Sequence, residues 1–113
     1  MDKNQVAEIL DEMGTLLEIK GANAFRCRAF HNASINIASL TEDLRELAST
    51  DRLTEIPGIG KGIAQIIRDL IESGKSKEYE DLKQSLPPGL PELIKIPGLG
   101  PKRVKLLYEK LNI

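Results

Sequence analysis

An all-α fold follows from three features of the sequence. Apolar residues recur at three- and four-residue spacing, no β-branched run alternates with polar residues, and a short Pro-Gly-x-Gly segment occurs twice between helical stretches. With 113 residues and 41% apolar content, the chain is long enough for one compact domain with a small appendage, without metal or disulfide staples.

The elements follow in chain order. Val6, Ile9, Leu10, Met13, Leu16 and Leu17 predict an amphipathic helix over Asn4 to Ile19, with Gly21 ending it. Asn23 is placed to cap a second helix, whose apolar stripe is Phe30, Ala33, Ile37 and Leu40. Thr41 is read as the cap of a short third helix, with Glu42 and Asp43 in its first turn and Leu44 and Leu47 as its anchors. A helical turn at Leu53 to Glu55 leads into Pro57-Gly58-Ile59-Gly60. Helical periodicity then resumes at Ile63, Ile66, Ile67, Leu70 and Ile71, and stops at Gly74. Ser76 begins a short helix carrying Tyr79 and Leu82. Leu86-Pro87-Pro88-Gly89-Leu90-Pro91 reads as a rigid connector, with Pro91 at the first position of a helix reaching Lys95. A last helix is predicted over Pro101 to Leu111.

The formal charge is −1, from 16 basic and 17 acidic side chains, which by itself argues against a generally basic nucleic-acid binder. The distribution is uneven. Residues 1–60 carry six basic and ten acidic side chains, and residues 61–113 carry ten basic and seven acidic. The single cysteine, Cys27, has no internal partner, and the first residues lack the basic and apolar regions of a secretory signal, so a cytoplasmic monomer is expected. No apolar run approaches the roughly 20 residues that cross a bilayer.

The most informative feature is the internal repeat. Ile56-Pro57-Gly58-Ile59-Gly60-Lys61 recurs as Ile96-Pro97-Gly98-Leu99-Gly100-Pro101, each copy preceded by a short helical stretch and followed by a longer amphipathic one. Glycines on either side of Ile59 permit a tight turn with unusual backbone angles and let a ligand approach the main chain. Ile59 and Leu99 are expected to point inward. Free N–H groups at the start of the following helix, with the helix dipole behind them, suit a phosphate oxygen. Such a grip reads no bases and needs little net charge, so sequence-independent DNA binding is the predicted function. A sodium or potassium ion could be held by hairpin carbonyls: Thr54, Ile56 and Ile59 in the first copy, and Ile94, Ile96 and Leu99 in the second. No other cofactor is required.

Beyond the repeats, Asn23-Ala24-Phe25-Arg26-Cys27-Arg28-Ala29-Phe30 and Leu86-Pro87-Pro88-Gly89-Leu90 complete a pattern that resembles, end to end, the amino-terminal domain of family X DNA polymerases. That resemblance implies a helical domain at residues 1–85 holding the downstream 5′-phosphate side of gapped or nicked DNA in repair synthesis. It also implies a second hairpin at residues 86–113, opening a fingers subdomain and gripping the primer side. It places Arg26 at a 5′-phosphate, Phe25 against a template base and Phe30 beside the phosphate pocket. Gly58, Gly60, Lys61 and Gly62 then form the first DNA contact, and Gly98, Gly100, Lys102 and Arg103 the second. The residues also have plainer roles open to them: Phe25 and Phe30 as core aromatics, Arg26 and Arg28 as solvated side chains, and His31 as a surface helix residue without metal-ligand spacing.

One position departs from the family. Beta-type relatives carry a Schiff-base lysine on the helix after the first hairpin, for 5′-deoxyribose phosphate lyase chemistry, and alignment through the hairpin glycines puts Ile66 there. Lys61 is the weak substitute, better suited to phosphate contact. Polymerase chemistry, with its Mg²⁺ ions, needs paired carboxylates in a β-rich setting. Asp2, Asp11 and Asp43 fall instead in helical stretches, so the chain reads as an amino-terminal fragment of a nucleotidyltransferase. A helical protein-interaction adaptor remains the alternative, favoured only by the acidic first half.

Overall fold

The computed structural model describes residues 2–86; the second hairpin, its candidate residues and the expected 86–113 unit lie outside the described residues, apart from Leu86. Five α-helices and one 3₁₀ turn occur in this order: α1 (Lys3–Lys20), α2 (Ala24–Ala38), α3 (Leu44–Ser49), the turn Leu53–Glu55, α4 (Lys61–Ser73) and α5 (Lys77–Gln84). No strand occurs among the described residues, and no described helix is long and apolar enough to cross a membrane.

Capping explains the helix limits. Asp2 accepts from the Gln5 N–H at 2.8 Å and the Gln5 side chain accepts from the Asp2 N–H at 3.0 Å, a reciprocal cap that starts α1 one residue before the predicted Asn4. Gly21, at φ 81°, ends it in the left-handed conformation. Asn23 caps α2 as expected, its Oδ1 accepting from the Phe25 N–H at 2.7 Å. The third cap differs from the sequence reading. Asp43, not Thr41, accepts from the Arg45 N–H at 3.0 Å, so α3 begins at Leu44 and Glu42 and Asp43 lie outside its first turn. The reason is local: the Asp43 backbone is extended, at φ −72° and ψ 117°, and its side chain takes a free first-turn N–H, so the helix starts at Leu44. Ser76 caps α5, and Gly74 closes α4 at φ 74°.

The longest packed pair is α1 and α2, with α5 against α1 and with α3 and the 3₁₀ turn against α4. Leu10, Leu16, Ile37, Leu53, Ile67 and Leu70 are fully buried at the centre. Burial of apolar area from every helix, at about 25 cal/mol per Å², is the main favourable contribution to folding. Ile59 enters this core, as predicted for the inward residue of the hairpin, and Ile56 is buried there as well.

His31 departs from the expected surface role. It is half-buried between α1 and α2, with Nδ1 2.7 Å from Asp11 Oδ1 and Nε2 3.0 Å from Glu18 Oε1. The ring sits over Gly14, where an added Cβ would come within 2.9 Å of it. Both ring nitrogens can donate to these carboxylates only in the imidazolium form. Burial opposes the charge, but the hydrogen bonds and attraction of Asp11 and Glu18 outweigh it, and the His31 pKa is raised above 6.5. The stabilisation is therefore fully present below the unfolded value and is lost as pH rises through the folded one. The expected result is a thermal midpoint that falls as the pH is raised from about 6 through the raised pKa. His31→Gln should flatten that dependence; an unchanged slope would show that the clamp contributes nothing.

Candidate nucleic-acid interface

The first hairpin is a hydrogen-bonded turn from Ile56 to Ile59. The Ile59 N–H donates to the Ile56 carbonyl at 3.0 Å, with Pro57 and Gly58 at the two central positions and Gly58 at φ 81°. Proline followed by a positive-φ glycine is the signature of a type II turn. From α2, the Asn36 side-chain amide donates to the Pro57 carbonyl at 2.6 Å and fixes the turn against that helix. Gly60 is different from the sequence expectation. Its φ of −89° and ψ of −178° are extended values open to any residue, so only Gly58 needs glycine for its backbone angles.

Gly60 is the N-cap of α4 and supplies no side-chain cap to the helix. The first-turn N–H groups of α4 thus start without the side-chain acceptor that serves α1, α2, α3 and α5. A Cβ added at Gly60 or at Gly62 would meet nothing within 4 Å. Both glycines open onto a depression of about 470 Å³, which Arg26, Phe30, Gly58, Gly60 and Gly62 line together with Ala29, Ile63, Ile66 and Glu78. Five predicted site residues from α2, the hairpin and α4 are thereby brought to one place.

The two phenylalanines separate. Phe30 is 4% exposed and packs in the core while forming part of the depression wall, whereas Phe25 is 77% exposed and is no core residue. The Arg28 guanidinium lies 5.2 Å from the Phe25 ring centroid, a cation–π contact that leaves most of the ring open. Arg26 is exposed, with no ion pair among the described residues.

Lys61 is exposed at the first position of α4 but lines a separate depression, with Thr54, Gln65 and Arg68. In that depression Arg68 Nη2 is 2.5 Å from Asp51 Oδ1. Ile66, the position where the family resemblance places the lyase lysine, is 2% exposed and contributes apolar wall to the Arg26 depression. The Ile56 carbonyl proposed for a monovalent cation already accepts the turn hydrogen bond.

Sequence reasoning missed Glu78, Ala29 and Ile63 as lining residues. Ser76 correctly marked the start of α5, but helix periodicity within so short an element did not say that Glu78 would face α2 and the hairpin.

A small helical unit with a type II hairpin feeding an uncapped helix N-terminus is a helix-hairpin-helix DNA-binding domain. The helix-hairpin-helix domain signature matches residues 1–76, and the chain belongs to that family. Over 113 residues, the whole chain, it is 37% identical to the DNA polymerase/3′-5′ exonuclease PolX of Bacillus subtilis (strain 168). That alignment spans 19% of the relative's length and falls in its amino-terminal part, in agreement with the family X resemblance.

Proposed function

We propose that this domain binds gapped or nicked DNA without sequence preference, holding the 5′-phosphate side for repair synthesis by a family X polymerase. The observation that carries the reading is the convergence of Arg26 with Gly58, Gly60 and Gly62 on one depression at the uncapped start of α4. Backbone N–H groups at that start take a phosphodiester oxygen, the open glycines let the strand approach, and Lys61 adds charge nearby. Arg26 takes the terminal phosphate. Phe25 supplies an exposed ring for stacking on an unpaired base, a contact worth about 1–3 kcal/mol in single-strand binders.

The hairpin carbonyls of Thr54, Ile56 and Ile59 are neutral oxygen donors, the chemistry a sodium or potassium ion prefers. The Ile56 oxygen retains one lone pair beyond its turn hydrogen bond. These residues would hold such an ion, which would add positive charge beside the phosphate.

Fluorescence anisotropy with the intact chain and labelled gapped DNA tests the proposal. Expected is binding that weakens steeply with salt, is equal across unrelated sequences and favours a 5′-phosphate over a 5′-hydroxyl. Arg26→Ala should chiefly reduce that end preference, by up to about fivefold, the upper end for one exposed charge contact. Binding that is absent at low ionic strength would overturn the proposal. The lyase reading lacks an amine at Ile66, and Lys61 stands outside the Arg26 depression. Borohydride trapping on an incised abasic substrate should accordingly give no covalent adduct while binding persists.

A further inference from the structure

The depression beside the hairpin contains an acid where a phosphate site would be expected to hold only bases. Among the described residues, its only charged lining side chains are Arg26, from α2, and Glu78, from α5. Both are exposed, and neither pairs with the other or with any described residue. The same two side chains, with Phe30, also line the adjoining depression of about 440 Å³, which Lys20 and Asp81 flank. One groove therefore runs from the hairpin glycines past Arg26 and Glu78.

We propose that Glu78 is a specificity-determining residue of this groove: it opposes the extra charge of a terminal phosphate and so limits the preference for a 5′-phosphate over a 5′-hydroxyl end. The inference rests on the DNA-end reading of Arg26 given above. A terminal phosphate carries about −1.5 to −2 at neutral pH against −1 for a phosphodiester, so a carboxylate facing it penalises the end more than the body of the strand. With Arg26 and Glu78 cancelling in net charge, attachment rests mainly on the N–H groups at the start of α4, which hold a phosphodiester and a terminal phosphate alike. Glu78 and Glu80 both lie in the first turn of α5, where the helix dipole favours a carboxylate, and of the two only Glu78 lines the groove.

The experiment compares the intact chain with Glu78→Gln, Arg26→Ala and Glu72→Gln on gapped DNA ending in 5′-phosphate or 5′-hydroxyl, at fixed low salt. Glu72 is an exposed acid on α4 outside the groove, and its substitution removes the same formal charge. Circular dichroism checks that each variant keeps its helices. Glu78→Gln should raise the ratio of 5′-phosphate to 5′-hydroxyl affinity about three- to fivefold, and Glu72→Gln should leave the ratio unchanged. Equal tightening to both ends in Glu78→Gln would overturn the inference, reducing Glu78 to general charge. If Arg26→Ala lowers the ratio and Glu78→Gln does not change it, the role of Glu78 falls while the DNA-end reading stands. If neither variant moves the ratio, both fall.

Discussion

Gly60→Val is expected to reduce affinity for DNA of every sequence by tenfold or more while leaving helical content nearly unchanged and lowering the thermal midpoint by only a few degrees, because valine is a poorer N-cap than glycine. The backbone at Gly60 is extended, so valine can adopt it, and the new side chain would start in open space rather than against protein. It would therefore occupy the depression in front of the α4 N-terminus, standing between the strand and the N–H groups that are proposed to hold it. A tenfold loss corresponds to about 1.4 kcal/mol, less than the cost of a charge-assisted hydrogen bond removed outright. The checks are anisotropy titrations on two unrelated gapped sequences and a melting curve. Undiminished binding in a folded variant would remove the hairpin from the interface. Gly100→Val is expected to act in the same way at the second hairpin.

Gly58→Val should do the opposite kind of damage. Gly58 sits at φ 81°, where a β-branched side chain is strained, and an added Cβ would lie 3.1 Å from Asn36 Nδ2. That amide is the group holding the Pro57 carbonyl, so relief of the crowding loosens the tie between α2 and the turn. Left-handed strain of about 1–2 kcal/mol and a weakened hydrogen bond of about 1 kcal/mol together predict a loss of about 2–3 kcal/mol. For a domain of this size that lowers the melting temperature by roughly 10–20 °C, measurable by calorimetry. Gly58→Ala should show most of the effect, since the penalty begins at Cβ. A variant as stable as the parent would mean that the turn adopts another conformation. DNA binding should weaken as well, but in step with the fraction unfolded.

The two glycines of one motif thus carry different constraints, and the sequence does not distinguish them. Pro-Gly-x-Gly announces a tight turn, and the proline before Gly58 even indicates its type. Which glycine takes a positive φ and which has open space in front of it depends on how the chain enters α4 and on what stands nearby. Phe25 and Phe30 show the same division. Each lies on α2, and only the packing of other elements across one side of that helix buries Phe30 and leaves Phe25 to solvent.

Local chemistry was legible where one residue acts on its own backbone. Asn23, Gly21, Gly74 and Ser76 marked helix ends correctly, because a cap or a left-handed glycine is decided within a few residues. Thr41 against Asp43 went the other way. Both can cap, and the extended backbone at Asp43 sets the later start. His31 likewise had no sequence signal, since its carboxylate partners lie 20 and 13 residues away on α1.

The sequence by itself determined the all-α class, the Pro-Gly-x-Gly repeat, the family resemblance and an apolar side chain at residue 66. These are properties of periodicity, turn chemistry and residue identity. The tertiary structure alone decided that Arg26, Phe30 and the hairpin glycines share one depression, that Lys61 faces another, and that Glu78 joins Arg26 across from α5. Those placements follow from how α2, α4 and α5 pack around a common core, and side-chain proximity across three helices leaves no trace in the spacing of residues along the chain.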